Sequence, residues 1–151
     1  MCVILYKGNI WYFLQRGCTC MESTFHIHVQ EGDIDHLGHV NYVRYIHYFE
    51  QAMGDWFKKC GRSTSEWKEK HLGTVVVNFD INYIKESRLG ETLKVMTVPV
   101  RLGTKSFTVQ QKIYNAKEEL ITECNKTFVM FNTSIRKGIP VVEEIARNFS
   151  K

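Results

Sequence analysis

Between Tyr42 and Cys60 the chain repeats apolar side chains at three- and four-residue steps: Tyr42, Tyr45, Ile46, Phe49, Met53, Trp56 and Cys60. Such spacing lines one face of an α-helix. Arg44, Gln51, Asp55, Lys58 and Lys59 fall mostly away from that stripe. Gly61 supplies a stop, and Lys58 and Lys59 sit in the last turn, where the helix dipole favours cations. A helix of about five turns carrying so many aromatics needs a broad apolar cover, and a sheet is the obvious partner.

The sheet is legible downstream, where the period shortens to two. Val75, Val77, Phe79, Ile81 and Tyr83 alternate with Val76, Asn78, Asp80 and Asn82, which predicts a long strand with one buried face. Strand-like runs follow at 91–101, 105–115 and 119–132, separated by turn signals at Arg88-Leu-Gly90, Leu102-Gly-Thr104 and Asn115-Ala-Lys-Glu118. Upstream, residues 23–30 alternate, with Phe25, Ile27 and Val29 on one face and His26 and His28 on the other. A short helix is expected near 63–70, and a final one over 139–149 with Pro140 in its first turn. Short connections imply antiparallel neighbours. The expected class is α+β: one strand, a long helix, then four strands, the sheet curling around the helix and its edges open to a second subunit.

A chain of 151 residues suits one domain, and its 44% hydrophobic and 24% charged content is that of an ordinary globular protein. The net charge of +4 is spread along the chain, which argues against a nucleic-acid stripe and leaves room for an anionic ligand. Five cysteines, of which only Cys18 and Cys20 lie close together, read as free thiols in a reducing, cytoplasmic setting. Residues 1–20 are too short and broken to span a bilayer and lack the continuous apolar run of a secretory signal. They are expected to be an extension before a functional domain over 21–151. Without Lys7 and Arg16 the charge falls by two, from +4 to +2.

Reactive groups concentrate in one loop, Gly32-Asp-Ile-Asp-His-Leu-Gly-His-Val-Asn-Tyr42, just before the long helix. A helix start leaves backbone N–H groups unpaired and gathers partial positive charge. A carbonyl oxygen set against them would be polarised, and a carboxylate one turn upstream could attack its carbon or deprotonate a water. Gly38 permits close backbone approach or a positive φ.

The pattern Asp33-x-Asp35-x-x-Gly38-His39-Val40-Asn41, followed by Tyr45 and Glu50-x-Ala52, resembles the 4-hydroxybenzoyl-CoA thioesterase family of hot-dog proteins. It is also similar to plant acyl-carrier-protein thioesterases, which carry His-Val-Asn at that place. The resemblance extends through Asn82-Tyr83 and Arg88-Leu-Gly90-Glu91, covering roughly residues 23–132. It departs at Glu91, where Asp is commoner, and at Glu86-Ser87. It implies an acyl-CoA thioesterase without metal or redox cofactor, coenzyme A entering only as part of the substrate. Asp35 takes the role of nucleophile or general base, the backbone N–H near Tyr42 polarises the carbonyl, and Gly38, His39 and Asn41 shape the loop or position the substrate. Self-association as a dimer or tetramer, with the site between subunits, belongs to the same expectation; nucleic acid and membrane do not.

Each residue has a plainer explanation. Asp35 could cap a helix or turn, and Asp33 reads as a structural acceptor for loop N–H groups. Asp33, Asp35, His36 and His39 with His26 and His28 could suggest a divalent metal, against which stands a solvent-facing or interfacial histidine pair. Glu50 flanks the stripe, where it would border the pocket as a substrate-binding residue; its plainer reading is a buried or interfacial structural carboxylate. Arg88, Lys105 and Ser106, with Arg136 and Lys137, are candidates for coenzyme A phosphates or merely solvated surface. Rival functions are an acyl-carrier-protein thioesterase, a hot-dog hydratase or dehydratase recruiting His39, and a non-catalytic acyl-thioester binding module.

Overall fold

The computed structural model describes residues 21–149, together with the backbone of two short strands, β1 (Ile4–Tyr6) and β2 (Trp11–Phe13), which pair antiparallel with each other. Apart from that hairpin backbone, the expected extension over 1–20 lies outside the described residues. The chain then runs through β3 (Ser23–His28), α1 (Tyr42–Lys59), α2 (Thr64–Glu69), β4 (Leu72–Tyr83), β5 (Thr92–Leu102), β6 (Ser106–Tyr114), β7 (Leu120–Asn132), β8 (Lys137–Gly138) and α3 (Glu143–Ala146). The main sheet has the order β3-β5-β6-β7-β4, every pairing antiparallel, with β8 against the end of β7.

The helix forms where the stripe demands it. Tyr45, Phe49, Met53 and Trp56 are buried, joined by Tyr48, Ala52 and Phe57, which widen the contact face. Its first half packs with Ile27, Leu93, Val95 and Ile113; its second half packs with Phe107, Val109, Phe128 and Met130. Phe107 and Phe128 stack at 5.1 Å between centroids. Such contacts hold the element in place, since truncating a buried aromatic to alanine costs about 3–5 kcal/mol. Gly61 terminates α1 with a φ of +96°, a conformation that side chains resist.

One polar side chain crosses this apolar layer with full compensation. Gln111 is completely buried, and its Nε2 donates to the Phe49 carbonyl and to Thr97 Oγ1, each at 3.0 Å. Buried amides are tolerated only when paired in this way.

Two expectations change. The tail is not a helix over 139–149: Ile139 donates to Met130 and Val141 to Thr104, so the chain stays extended past Pro140 and only Glu143–Ala146 turns helical. The long strand begins at Leu72 and does not bury one clean face. A register shift between Val76 and Asn78 breaks the alternation, and Val75, Val76 and Val77 are all exposed. No helix among the described residues is long and apolar enough to cross a membrane.

Candidate active site

The loop before α1 is built by its two aspartates in different ways. Asp33 is buried; it accepts from the Gln30 N–H at 3.0 Å and pairs with the Arg44 guanidinium at 2.5 Å. Burial alone would raise its pKa, but the Gln30 N–H, the adjacent Tyr48 hydroxyl and Arg44 outweigh that and hold it below the usual value. The Tyr48 hydroxyl lies beside the carboxylate without a well-formed hydrogen bond of its own. The Asn41 N–H donates to the Asp33 carbonyl, which anchors the end of the loop to its beginning. Asp33 is therefore the loop's structural acceptor, as its plainer reading anticipated.

Asp35 sits two residues on with its carboxylate half-buried in a cleft. Its Oδ1 accepts the Leu37 N–H at 2.9 Å, its N–H donates to the His39 carbonyl, and its carbonyl accepts the Gly38 N–H. This tight reversal needs Gly38, whose φ is +83°. Oδ2 has no hydrogen-bond partner among the described residues and is the oxygen left for a substrate or a water.

The helix start meets the same cleft. Asn41 is the N-cap: its side chain accepts the Val43 N–H at 2.9 Å, and its carbonyl accepts that of Arg44. The Tyr42 N–H is left without an acceptor among the described residues. It is the donor that the family resemblance implies for a developing oxyanion.

The cleft holds about 380 Å³ and is lined by Asp35, His39, Tyr42, Tyr45, Tyr83 and Ile84, with Leu37, Val40, Lys85 and Glu86 completing it. Tyr83 brings the end of β4 to the helix start: its hydroxyl donates to the Tyr42 carbonyl at 3.2 Å, and its ring meets Tyr42 edge-on at 6.2 Å. Burial raises the pKa of Tyr45 and Tyr83, so both hydroxyls stay protonated. His39 Nδ1 lies 3.2 Å from the Val40 carbonyl, a contact that requires the proton on Nδ1.

The structure thus brings Asp35, Tyr42 and His39 into one cleft, whereas Gly38 and Asn41 belong to the loop and the helix cap without lining it. It does not bring the other candidates there within the chain. Glu50 lies further along α1 and is ion-paired with Lys126, a fully buried lysine of β7 that also faces the Phe79 ring. Arg88 pairs with Glu86 at 2.5 Å and lines a neighbouring groove. Lys105 and Ser106 lie at the β5–β6 turn, at the opposite end of the sheet from Tyr83. The imagined metal set is split: His26, His28 and Asp33 line one hollow, Asp35 and His39 another. Tyr83 to Glu86 were not singled out for the site from sequence, because antiparallel register, not local pattern, carries them to the loop.

A family model described as the thioesterase-like superfamily matches residues 29–149. The chain belongs to that superfamily. Membership makes it a thioester hydrolase by class, and its fold is the hot-dog arrangement that the resemblance implied. A 1,4-dihydroxy-2-naphthoyl-CoA thioesterase from Synechocystis superposes with a TM-score of 0.78 at 17% identity, covering 85% of this chain and 95% of that one. A Pseudomonas aeruginosa protein provisionally described as a thioesterase gives 0.74 at 28% identity over 82% of this chain and 94% of that one. A Staphylococcus aureus protein solved in complex with CoA gives 0.81 at 16% identity over 89% and 85%. No curated protein sequence matches the chain.

Proposed function

We propose that this superfamily member hydrolyses acyl-CoA thioesters in the cytoplasm, with Asp35 as its catalytic carboxylate. The observation that carries this reading is the half-buried Asp35 sharing an apolar, tyrosine-lined cleft with Tyr42, whose N–H has no acceptor among the described residues. Solved relatives complexed with CoA or with 4-hydroxybenzoyl-CoA support the class of substrate.

In the proposed reaction the thioester carbonyl oxygen accepts the Tyr42 N–H. Asp35 either attacks the carbonyl carbon itself or takes a proton from a water that does. The tetrahedral oxyanion collapses, the C–S bond breaks and coenzyme A leaves as a thiolate. In the general-base course the proton held by Asp35 ends on that thiolate, and the acid is released directly. In the nucleophilic course an acyl–Asp35 anhydride forms first, and water then hydrolyses it. The reaction needs no oxidant or reductant.

Thiol release over a panel of acyl-CoA and acyl-carrier substrates is the test. Asp35→Asn keeps the fold and lowers kcat by about a thousandfold; a variant with normal kcat rejects the assignment. Label in the Asp35 carboxylate after single turnover in ¹⁸O-water identifies the nucleophilic course, because it enters only when water attacks the aspartyl carbonyl of the anhydride. Trapping the acyl–Asp35 adduct with hydroxylamine identifies that course when water attacks the acyl carbon instead.

A further inference from the structure

At the far end of α1 from Asp35 lies a second concavity of about 490 Å³, among whose lining residues are Arg62, Thr64, Trp67, Lys68, His71 and Thr133. Among the described residues no carboxylate lines it. Glu144 is engaged by the indole N–H of its lining residue Trp67 at 2.9 Å.

Arg62 is held there in an unusual way. Its guanidinium carbon lies 4.9 Å from the Phe57 ring centroid and 4.5 Å from that of Trp67, and its Nε is buried with no acceptor among the described residues. The fully buried Lys126, by contrast, is paired with Glu50. Arg62 as a whole is half-buried, and none of its guanidinium nitrogens has a hydrogen-bond or ion-pair partner among the described residues, so its charge is left to be met by an anion entering the hollow. The frame around it is fixed, since the His71 carbonyl accepts the Thr133 N–H at 2.8 Å and ties the start of β4 to the end of β7.

We propose that Arg62, Lys68 and His71, with the hydroxyls of Thr64 and Thr133, bind a phosphate monoester. A planar guanidinium, an ammonium and short hydroxyls match the charge and the oxygen geometry of such a dianion. The cations nearest the Asp35 cleft suit it less, because Lys85 and Arg88 are already paired with Glu119 and Glu86. Two sources share this chemistry. Leu72, at one end of β4, lines this hollow, and Tyr83, at the other end, lines the cleft. Antiparallel pairing of β4 with a second copy would set one chain's hollow beside the other chain's cleft. The phosphate is then that of a CoA thioester held by the neighbour, which rests on the proposed function. The alternative source is a separate phosphorylated ligand.

Equilibrium binding to the full chain separates these sources and does not depend on turnover at Asp35. The probes are CoA, 3′-dephospho-CoA and inorganic phosphate, on the unaltered chain, Arg62→Gln and Lys68→Gln; exposed Lys68 guards against a folding defect. If the neighbour's CoA is the ligand, dephospho-CoA binds about tenfold more weakly than CoA, and both substitutions erase that ratio. If a separate ligand is bound, the two CoA forms bind alike, while inorganic phosphate binds and the variants weaken it about tenfold. Variants that bind all three probes as the unaltered chain does, or a chain that binds phosphate nowhere, overturn the proposal.

Discussion

Asp33 and Asp35 are two residues apart and of one chemistry, yet their surroundings give them different work. Asp33 is spent on Gln30 and Arg44, whereas Asp35 keeps one oxygen free in the cleft. The dense loop and its dipeptide spacing made both visible in sequence, and N–H acceptance by Asp33 was legible too. Its partner was not, because the Asp33–Arg44 pairing depends on how the loop folds back over the helix. The lowered pKa has a consequence for stability. Native Asp33 binds fewer protons than the unfolded chain in acid, so its contribution is fully present above the unfolded carboxylate pKa and is lost as pH falls through the folded value. Asp33→Asn is expected to cost about 2 kcal/mol at neutral pH, the lower end for a charge-assisted pair whose Arg44 is partly exposed. Urea unfolding of both forms should show the difference shrinking toward pH 2; a constant difference rejects the ion pair as its cause.

At the scale of elements, α1 was the most legible part because a helical stripe and its stop signal are local. The family resemblance implies a loop-shaping or substrate-positioning role for Asn41, and its side chain is committed to the Val43 N–H. Asn41→Ala should therefore destabilise the fold by about 1 kcal/mol, the usual worth of an N-cap, while Asn41→Asp or Asn41→Ser should restore most of it. A substitution series with flat stability but altered KM would make Asn41 a substrate contact instead. β4 and the tail were less legible for a common reason. The bulge at Val76–Asn78 answers to the register with β7, and residues 139–142 are pinned by carbonyls from Met130 and Thr104. Non-local hydrogen bonds decide both, and neither leaves a periodic trace.

At the scale of the molecule, Met21 is already tied into the body. Its N–H donates to the Asn148 carbonyl, and its own carbonyl accepts the Trp56 indole N–H at 2.9 Å. We expect a chain starting at Met21 to keep its melting temperature and its turnover; insolubility or lost activity would show that residues 1–20 belong to the working domain. The outer side of β4 has no strand partner among the described residues, and Val76 and Val77 are 49% and 58% exposed. Such an edge invites a copy of itself. Sedimentation velocity should find a dimer or larger species that Val76→Lys shifts toward monomer; an unaltered chain that sediments as a monomer at all concentrations refutes this.

That bare flank also bears on how the enzyme is assayed. If catalytic competence depends on two chains meeting along it, specific activity is not an intensive property. It should decline once protein is diluted below the dissociation constant of the dimer and recover on concentration, and rates taken at a single enzyme level would understate what a crowded compartment sustains.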